Sequence, residues 1–154
     1  LSNGRESNAI IEYIITKYDT DNKLSFGDFD NQQYLRQWMY FQASGQGPYY
    51  GQAVWFIKNS NGEPKEVVER YQNETRRVIC VLESVLSKQE WLVGDKLSVA
   101  DICFLQWNTS ADRIILGNDF IDKEAPHVRQ WMNAMIARPA IAAVMQERAK
   151  KLSA

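Results

Sequence analysis

Trp91-Leu92-Val93-Gly94-Asp95-Lys96-Leu97-Ser98-Val99-Ala100-Asp101-Ile102 decides the fold, because it holds a nearly complete helix-start signal in the middle of a helical sequence. Ser98 stands where an N-cap belongs. Its hydroxyl can accept from the Asp101 amide, the Asp101 carboxylate can reach back to the Ser98 amide, and Leu97 can pack on Ile102 as a hydrophobic staple. These contacts fix the angle at which the chain enters the helix and account for Asp101 as a structural residue.

Toward the C-terminus the capped helix is predicted from Val99 to about Arg113. Pro126 opens another, carrying Val128, Trp131, Met132 and Met135, and Pro139 marks the next boundary. A last helix covers about Ala140 to Leu152 and ends in Lys150-Lys151, where cations suit the negative end of the helix dipole. Toward the N-terminus, from Pro64 onward, Val67, Tyr71, Val78, Leu82 and Val85 keep a three-to-four-residue spacing, while Glu66, Glu69, Arg70, Glu74, Arg76 and Arg77 form a solvated face. Further upstream, a helix with Ile10 and Ile14 at helical spacing is predicted over about Glu6–Tyr18. A polar loop follows, and from about Asp30 a long pattern places Tyr34, Trp38 and Phe41 on one aromatic face. Gly45-Gln46-Gly47-Pro48 should kink or break that helix. No segment reads as a strand, repeat or low-complexity tract. The expected fold is all-α, helix packed on helix.

A chain of 154 residues with 45% hydrophobic content can bury a sizeable core. Its 18 basic and 19 acidic residues are interspersed, which argues against a nucleic-acid partner. Glu12 and Lys17 interrupt the densest early apolar group well short of the roughly 20 residues a membrane span needs. No signal-peptide pattern opens the chain, so a cytoplasmic location is expected. Cys80 and Cys103 are far apart and lie in apolar helical patterns, predicting two buried, reduced thiols without a catalytic role. One histidine, His127, and no C-x-x-C pair leave no basis for a metal site.

Gly45-x-Gly47 invites a phosphate-loop reading, but no strand precedes it, no Gly-Lys-Ser/Thr follows, and Pro48 removes one of the amides such a loop needs. A bend presenting Tyr49 and Tyr50 toward a groove fits better. Core filling by the same rings is the alternative, since aromatics serve both roles.

Several separated segments resemble one family. Trp91–Ile102 is similar to the segment that begins the sixth helix of the glutathione transferase helical domain. Glu6-Ser7-Asn8-Ala9-Ile10 looks like the Glu-Ser-x-Ala-Ile segment that starts the last helix of the thioredoxin-like half of these proteins. Trp38-Met39-Tyr40-Phe41-Gln42, Gly47-Pro48-x-x-Gly51-Gln52, Glu69-Arg70-Tyr71-Gln72-x-Glu74-Thr75-x-Arg77, Trp107-Asn108, Asp112-Arg113 and Arg138-Pro139-Ala140 together resemble the Nu-class bacterial transferases and the fungal branch that includes the yeast nitrogen-regulation prion protein.

The resemblance implies a division of the chain and a chemistry. Residues 1–18 would be the end of a thioredoxin-like domain whose remainder is not in this sequence, and residues 19–154 the transferase C-terminal helical domain. Glu6 and Ser7 would bind the γ-glutamyl end of glutathione, the cosubstrate: a carboxylate pairs with an ammonium, while a hydroxyl and helix-start amides suit a carboxylate. Tyr49, Tyr50, Trp55, Trp107 and Asn108 would face the acceptor substrate, a small-molecule electrophile or a disulfide. Arg70 and Asp112 would help at a domain or subunit boundary, or simply form solvated ion pairs. A homodimer is implied. The usual donors that activate the thiol lie in the thioredoxin-like half, so this segment alone is expected to be inactive. A noncatalytic regulatory or interaction module with the same fold is the alternative.

Overall fold

The computed structural model describes residues 5–59, 65–117 and 119–153, and among these the chain forms eight α-helices and no strand. They are α1 (Ser7–Tyr18), α2 (Phe29–Phe41), α3 (Gly47–Asn59), α4 (Lys65–Leu86), α5 (Val99–Ser110), α6 (Phe120–Glu124), α7 (Pro126–Ile136) and α8 (Pro139–Ser153). The predicted start at Pro64 lies outside the described residues. The short α6 has no counterpart in the sequence reading.

The expected interruption at residues 45–48 is a π-helical turn, Gln42–Gln46, that carries α2 into α3 without a break. Pro48 lacks an N–H and its ring crowds the carbonyl four residues back. A wider turn, in which the Gly47 N–H reaches the Gln42 carbonyl, takes the backbone past it. A second π turn, Ala111–Ile115, extends α5.

The capping box forms. Ser98 Oγ accepts from the Ala100 amide at 3.2 Å, and Asp101 Oδ2 accepts from the Ser98 N–H at 2.9 Å and the Ser98 hydroxyl at 3.0 Å. Asp101 does more than cap its own helix. Its Oδ1 accepts from the Leu92 N–H at 2.8 Å and from Trp131 Nε1 at 3.0 Å, tying α5 to the preceding loop and to α7. Burial pushes this carboxyl above the usual carboxylate range, against four donors that pull it down.

The 91–98 loop then docks on the loop after α1. Gly94 takes φ +61°, where a side chain is strained, and lies so close to Phe26 that an added Cβ would sit 3.0 Å from the ring. Lys96 donates to the Asn22 carbonyl and lies over the Phe26 ring, and the Val99 N–H donates to Leu24 O at 2.9 Å. Asp19 shapes its own loop by accepting from the Lys23 and Leu24 amides and the Ser25 hydroxyl.

Phe104 of α5 is fully buried and anchors the core, with the rings of Trp38, Phe41 and Trp131 centred 6.1 to 6.4 Å away. Truncating such a ring to alanine costs about 3–5 kcal/mol. Around it pack Val78, Ile79 and Leu82 of α4 and Val128, Met132 and Met135 of α7. Three expectations about faces are corrected. The inward side of α2 is Leu35, Trp38 and Met39, while Tyr34 is 56% exposed. In α1, Ile11 and Ile15 pack toward the core and Ile14 is exposed. Cys80 is exposed, because the buried side of α4 runs through Val78, Ile79 and Leu82 and position 80 falls outside it. Cys103 is partly buried, with its thiol pushed up by desolvation.

Candidate functional site

Glu6 and Ser7 stand exposed at the start of α1. Glu6 holds φ 65°, ψ 107°, a region that costs a non-glycine residue about 1–3 kcal/mol and persists where surrounding structure imposes it. Among the described residues no side chain caps this helix, whose first amides lie at the positive end of the dipole. A carboxylate, a hydroxyl and helix-start amides in one place can receive a ligand carrying both an ammonium and a carboxylate. Immediately after them Asn8 turns inward, donating through Nδ2 to Met39 O at 2.6 Å and to Gln42 Oε1 at 3.3 Å.

A row of rings runs between α3 and α4. Phe56 stacks on Tyr71 with centroids 5.5 Å apart and planes 14° apart, Trp55 meets Phe56 edge-on at 4.9 Å, and Tyr49 lies 6.3 Å from Tyr71. Trp55 is 53% exposed. Trp107 of α5 lies against the backbone of α3, within van der Waals reach of where a Cβ on Gly47 or Gly51 would be, which gives those two glycines a packing role.

Two predicted contact residues are placed elsewhere. Tyr50 is fully buried behind Trp107, ring centroids 6.3 Å apart, and its hydroxyl donates to Thr75 O at 3.3 Å; burial pushes its phenol well up. Asn108 is equally buried, and its Oδ1 accepts from Gln46 Nε2 at 2.8 Å. Both belong to the core, because the first turn of α3 and the last of α5 face each other there. Phe56 and Tyr71 replace them in the aromatic row, joined by a cross-helix stacking that no local spacing announces. Asp112 pairs with Arg129 at 2.7 Å, holding the second π turn to α7.

Cavities of about 380 Å³ between α1 and α2 and about 320 Å³ between α7 and α8 are lined by other residues, while Trp55 is exposed and Tyr49 and Trp107 are half-buried. Among the described residues no group of three or more His, Cys, Asp or Glu side chains is placed to hold a metal ion, and no helix is long and apolar enough to cross a membrane.

Residues 48–139 match the family model of the glutathione S-transferase C-terminal domain. The glutathione S-transferase-like protein gedE of Aspergillus terreus is 42% identical over 91% of this chain and 66% of its own length. The glutathione transferase URE2P6 of Phanerochaete chrysosporium, solved in complex with oxidized glutathione, is 49% identical over 96% of this chain and 67% of its own, with a TM-score of 0.92. The transcriptional regulator URE2 of Saccharomyces cerevisiae is 33% identical over 88% of this chain and 48% of its own. The chain thus spans about two thirds of the length of the transferases it matches. With its all-helical architecture and the matched segment running from α3 to the start of α8, this chain belongs to the glutathione S-transferase family and carries that family's C-terminal helical domain.

Proposed function

We propose that this chain is the helical, acceptor-side part of a glutathione transferase, and that Glu6 and Ser7 hold the γ-glutamyl end of glutathione. The observation that carries the reading is the exposed, uncapped start of α1 bearing Glu6 and Ser7, in a chain 49% identical to a transferase solved with oxidized glutathione. The Glu6 carboxylate pairs with the ligand ammonium, and the Ser7 hydroxyl with the first α1 amides receives its carboxylate. Residues 1–18 then close a thioredoxin-like unit and residues 19–154 form the helical domain. Support for that boundary comes from α1, which has no fully buried residue and leaves Ile14 and Tyr18 exposed.

Bound glutathione supplies a thiolate whose sulfur bonds to an electrophilic carbon, expelling a leaving group with its electron pair, or to one sulfur of a disulfide, releasing the other as a thiolate. Tyr49, Trp55 and Trp107, backed by Phe56 and Tyr71, offer an apolar wall for the acceptor. The family's dimeric habit and cytoplasmic location belong to the same proposal.

The relation to a transcriptional regulator supports a second reading, a binding module without turnover. Glutathione-dependent conversion of a model electrophile and of a mixed disulfide, measured for this chain and for the full native reading frame, separates the two. Turnover by the full frame supports the transferase. Folded protein that neither binds glutathione nor turns over refutes it in favour of the module. Trp55→Ala in the active form should raise the acceptor KM severalfold and leave the glutathione KM unchanged.

A further inference from the structure

A line of buried amides crosses the molecule from α1 to α5. Asn8 Nδ2 donates to Gln42 Oε1 at 3.3 Å, Gln42 Nε2 to Gln46 Oε1 at 3.3 Å, and Gln46 Nε2 to Asn108 Oδ1 at 2.8 Å. Gln42 and Gln46 are the first and last residues of the π turn forced by Pro48, so the backbone irregularity and the polar line coincide. Gln42, Gln46 and Asn108 are 6%, 0% and 0% exposed, and Gln46 Nε2 also donates to Phe104 O at 3.4 Å. At the two ends, Asn8 Oδ1 and Asn108 Nδ2 are buried without a hydrogen-bond partner among the described residues. One end adjoins Ser7 in the chain and the other adjoins Trp107.

We propose that this amide relay is a positioning device for glutathione capture. Asn8 fixes the first turn of α1, and with it Glu6 and Ser7, against the helical bundle; Gln42 and Gln46 hold Asn8 from behind. The inference rests on the assignment of Glu6 and Ser7 to glutathione. It adds that residues remote from the ligand set its affinity. Hydrophobic packing by Ile11 and Ile15 alone leaves α1 free to slide or roll on the bundle, because apolar contact is nondirectional. A geometry accurate enough for a helix-start ligand site needs directional bonds, and the relay supplies them where α1 meets α2.

The test uses the full native reading frame, with hydrogen exchange of the amides of residues 6–10 and glutathione affinity by titration calorimetry as readouts. Asn8→Ala and Gln46→Met should each speed exchange in that segment at least tenfold and weaken glutathione binding about tenfold, with kcat at saturating glutathione within twofold of the parent. Val128→Ala, buried in α7 off the relay, sets how much general destabilisation contributes; it should lower the melting temperature and leave both readouts at parental values. If Gln46→Met does not fold, Gln42→Met interrupts the same line nearer α1. Parental exchange and affinity in the folded relay variants overturn the relay while the glutathione assignment stands. A parent that shows no glutathione binding overturns that assignment and the positioning role with it, whatever the exchange data show.

Discussion

Replacing Asp101 by alanine should remove most of the folding stability of this chain, although the position touches no proposed ligand residue. The carboxylate accepts four hydrogen bonds, from Leu92 N–H, Trp131 Nε1, Ser98 N–H and Ser98 Oγ, at 2.8 to 3.0 Å. The hydroxyl can rotate to another acceptor, but the other three donors are fixed. Leaving a buried donor unsatisfied costs about 1–3 kcal/mol, so the three together amount to roughly 3–9 kcal/mol. A domain of this size has about 5–15 kcal/mol in all. Asp101→Asn keeps one acceptor oxygen and should cost about half as much. Ser98→Ala removes the cap to Ala100 while leaving Asp101 three donors, and should cost about 1 kcal/mol. Urea unfolding followed by far-UV circular dichroism and by the fluorescence of buried Trp91 and Trp131 measures all three. An Asp101→Ala protein within 1 kcal/mol of the parent would refute the claim that one carboxylate holds α5, its preceding loop and α7 together.

Glu83 of α4 provides the cap that α7 lacks. Its carboxylate accepts from the Val128 amide at 2.9 Å and contacts His127 Nδ1 at 2.6 Å, while Ala125 at the N-cap offers no side-chain oxygen. Glu83→Ala should therefore cost about 1–2 kcal/mol in urea unfolding. Through Asp19 and Asp28, stability should decline as pH falls below about 4. Partial burial opposes it, but hydrogen bonds from Ser25, Leu24 and Lys23 hold the Asp19 carboxyl below its usual range, and the Asn31 amide does the same for Asp28 at the start of α2. A folded pKa below the unfolded value, near 3.9 for aspartate, gives stability that is present above that value and is lost as pH falls through the folded one. In a pH titration of ellipticity, Asp28→Ser, which caps without titrating, should flatten the dependence below pH 4.

The parts of this fold that could be read from sequence are those written in consecutive residues. Ser98 and Asp101 announce α5, and Pro126 and Pro139 mark the starts of α7 and α8, because capping and proline chemistry act within one turn. Faces were harder. Tyr34 and Trp38 share a helical spacing, yet only Trp38 is buried, since what decides is where α5 lies, and Cys80 misled for the same reason. In the site, Glu6 and Ser7 could be picked out only by resemblance, because Glu and Ser suit any helix start. Tyr50 and Asn108 could not be assigned to groove or core from sequence, because a tyrosine or an asparagine near a bend reads alike in either. The links that place them join Gln46 to Asn108, 62 residues apart, and Tyr50 to Thr75, 25 apart. Such pairings leave no periodic trace.

The amide line between α1 and α5 also has a sense of travel. Each side chain gives its N–H to the next, and two backbone carbonyls, Met39 O beside Asn8 and Phe104 O beside Gln46, accept from the same nitrogens. Turning Gln42 or Gln46 over would set oxygen against oxygen on one side and nitrogen against nitrogen on the other. Turning all of them would bring oxygens onto the two carbonyls. The row is therefore one-way, and because none of its members carries charge, neither salt nor pH has a handle on it: α1 keeps its seat on the bundle through ionic conditions that would loosen a pair such as Arg36 and Glu12.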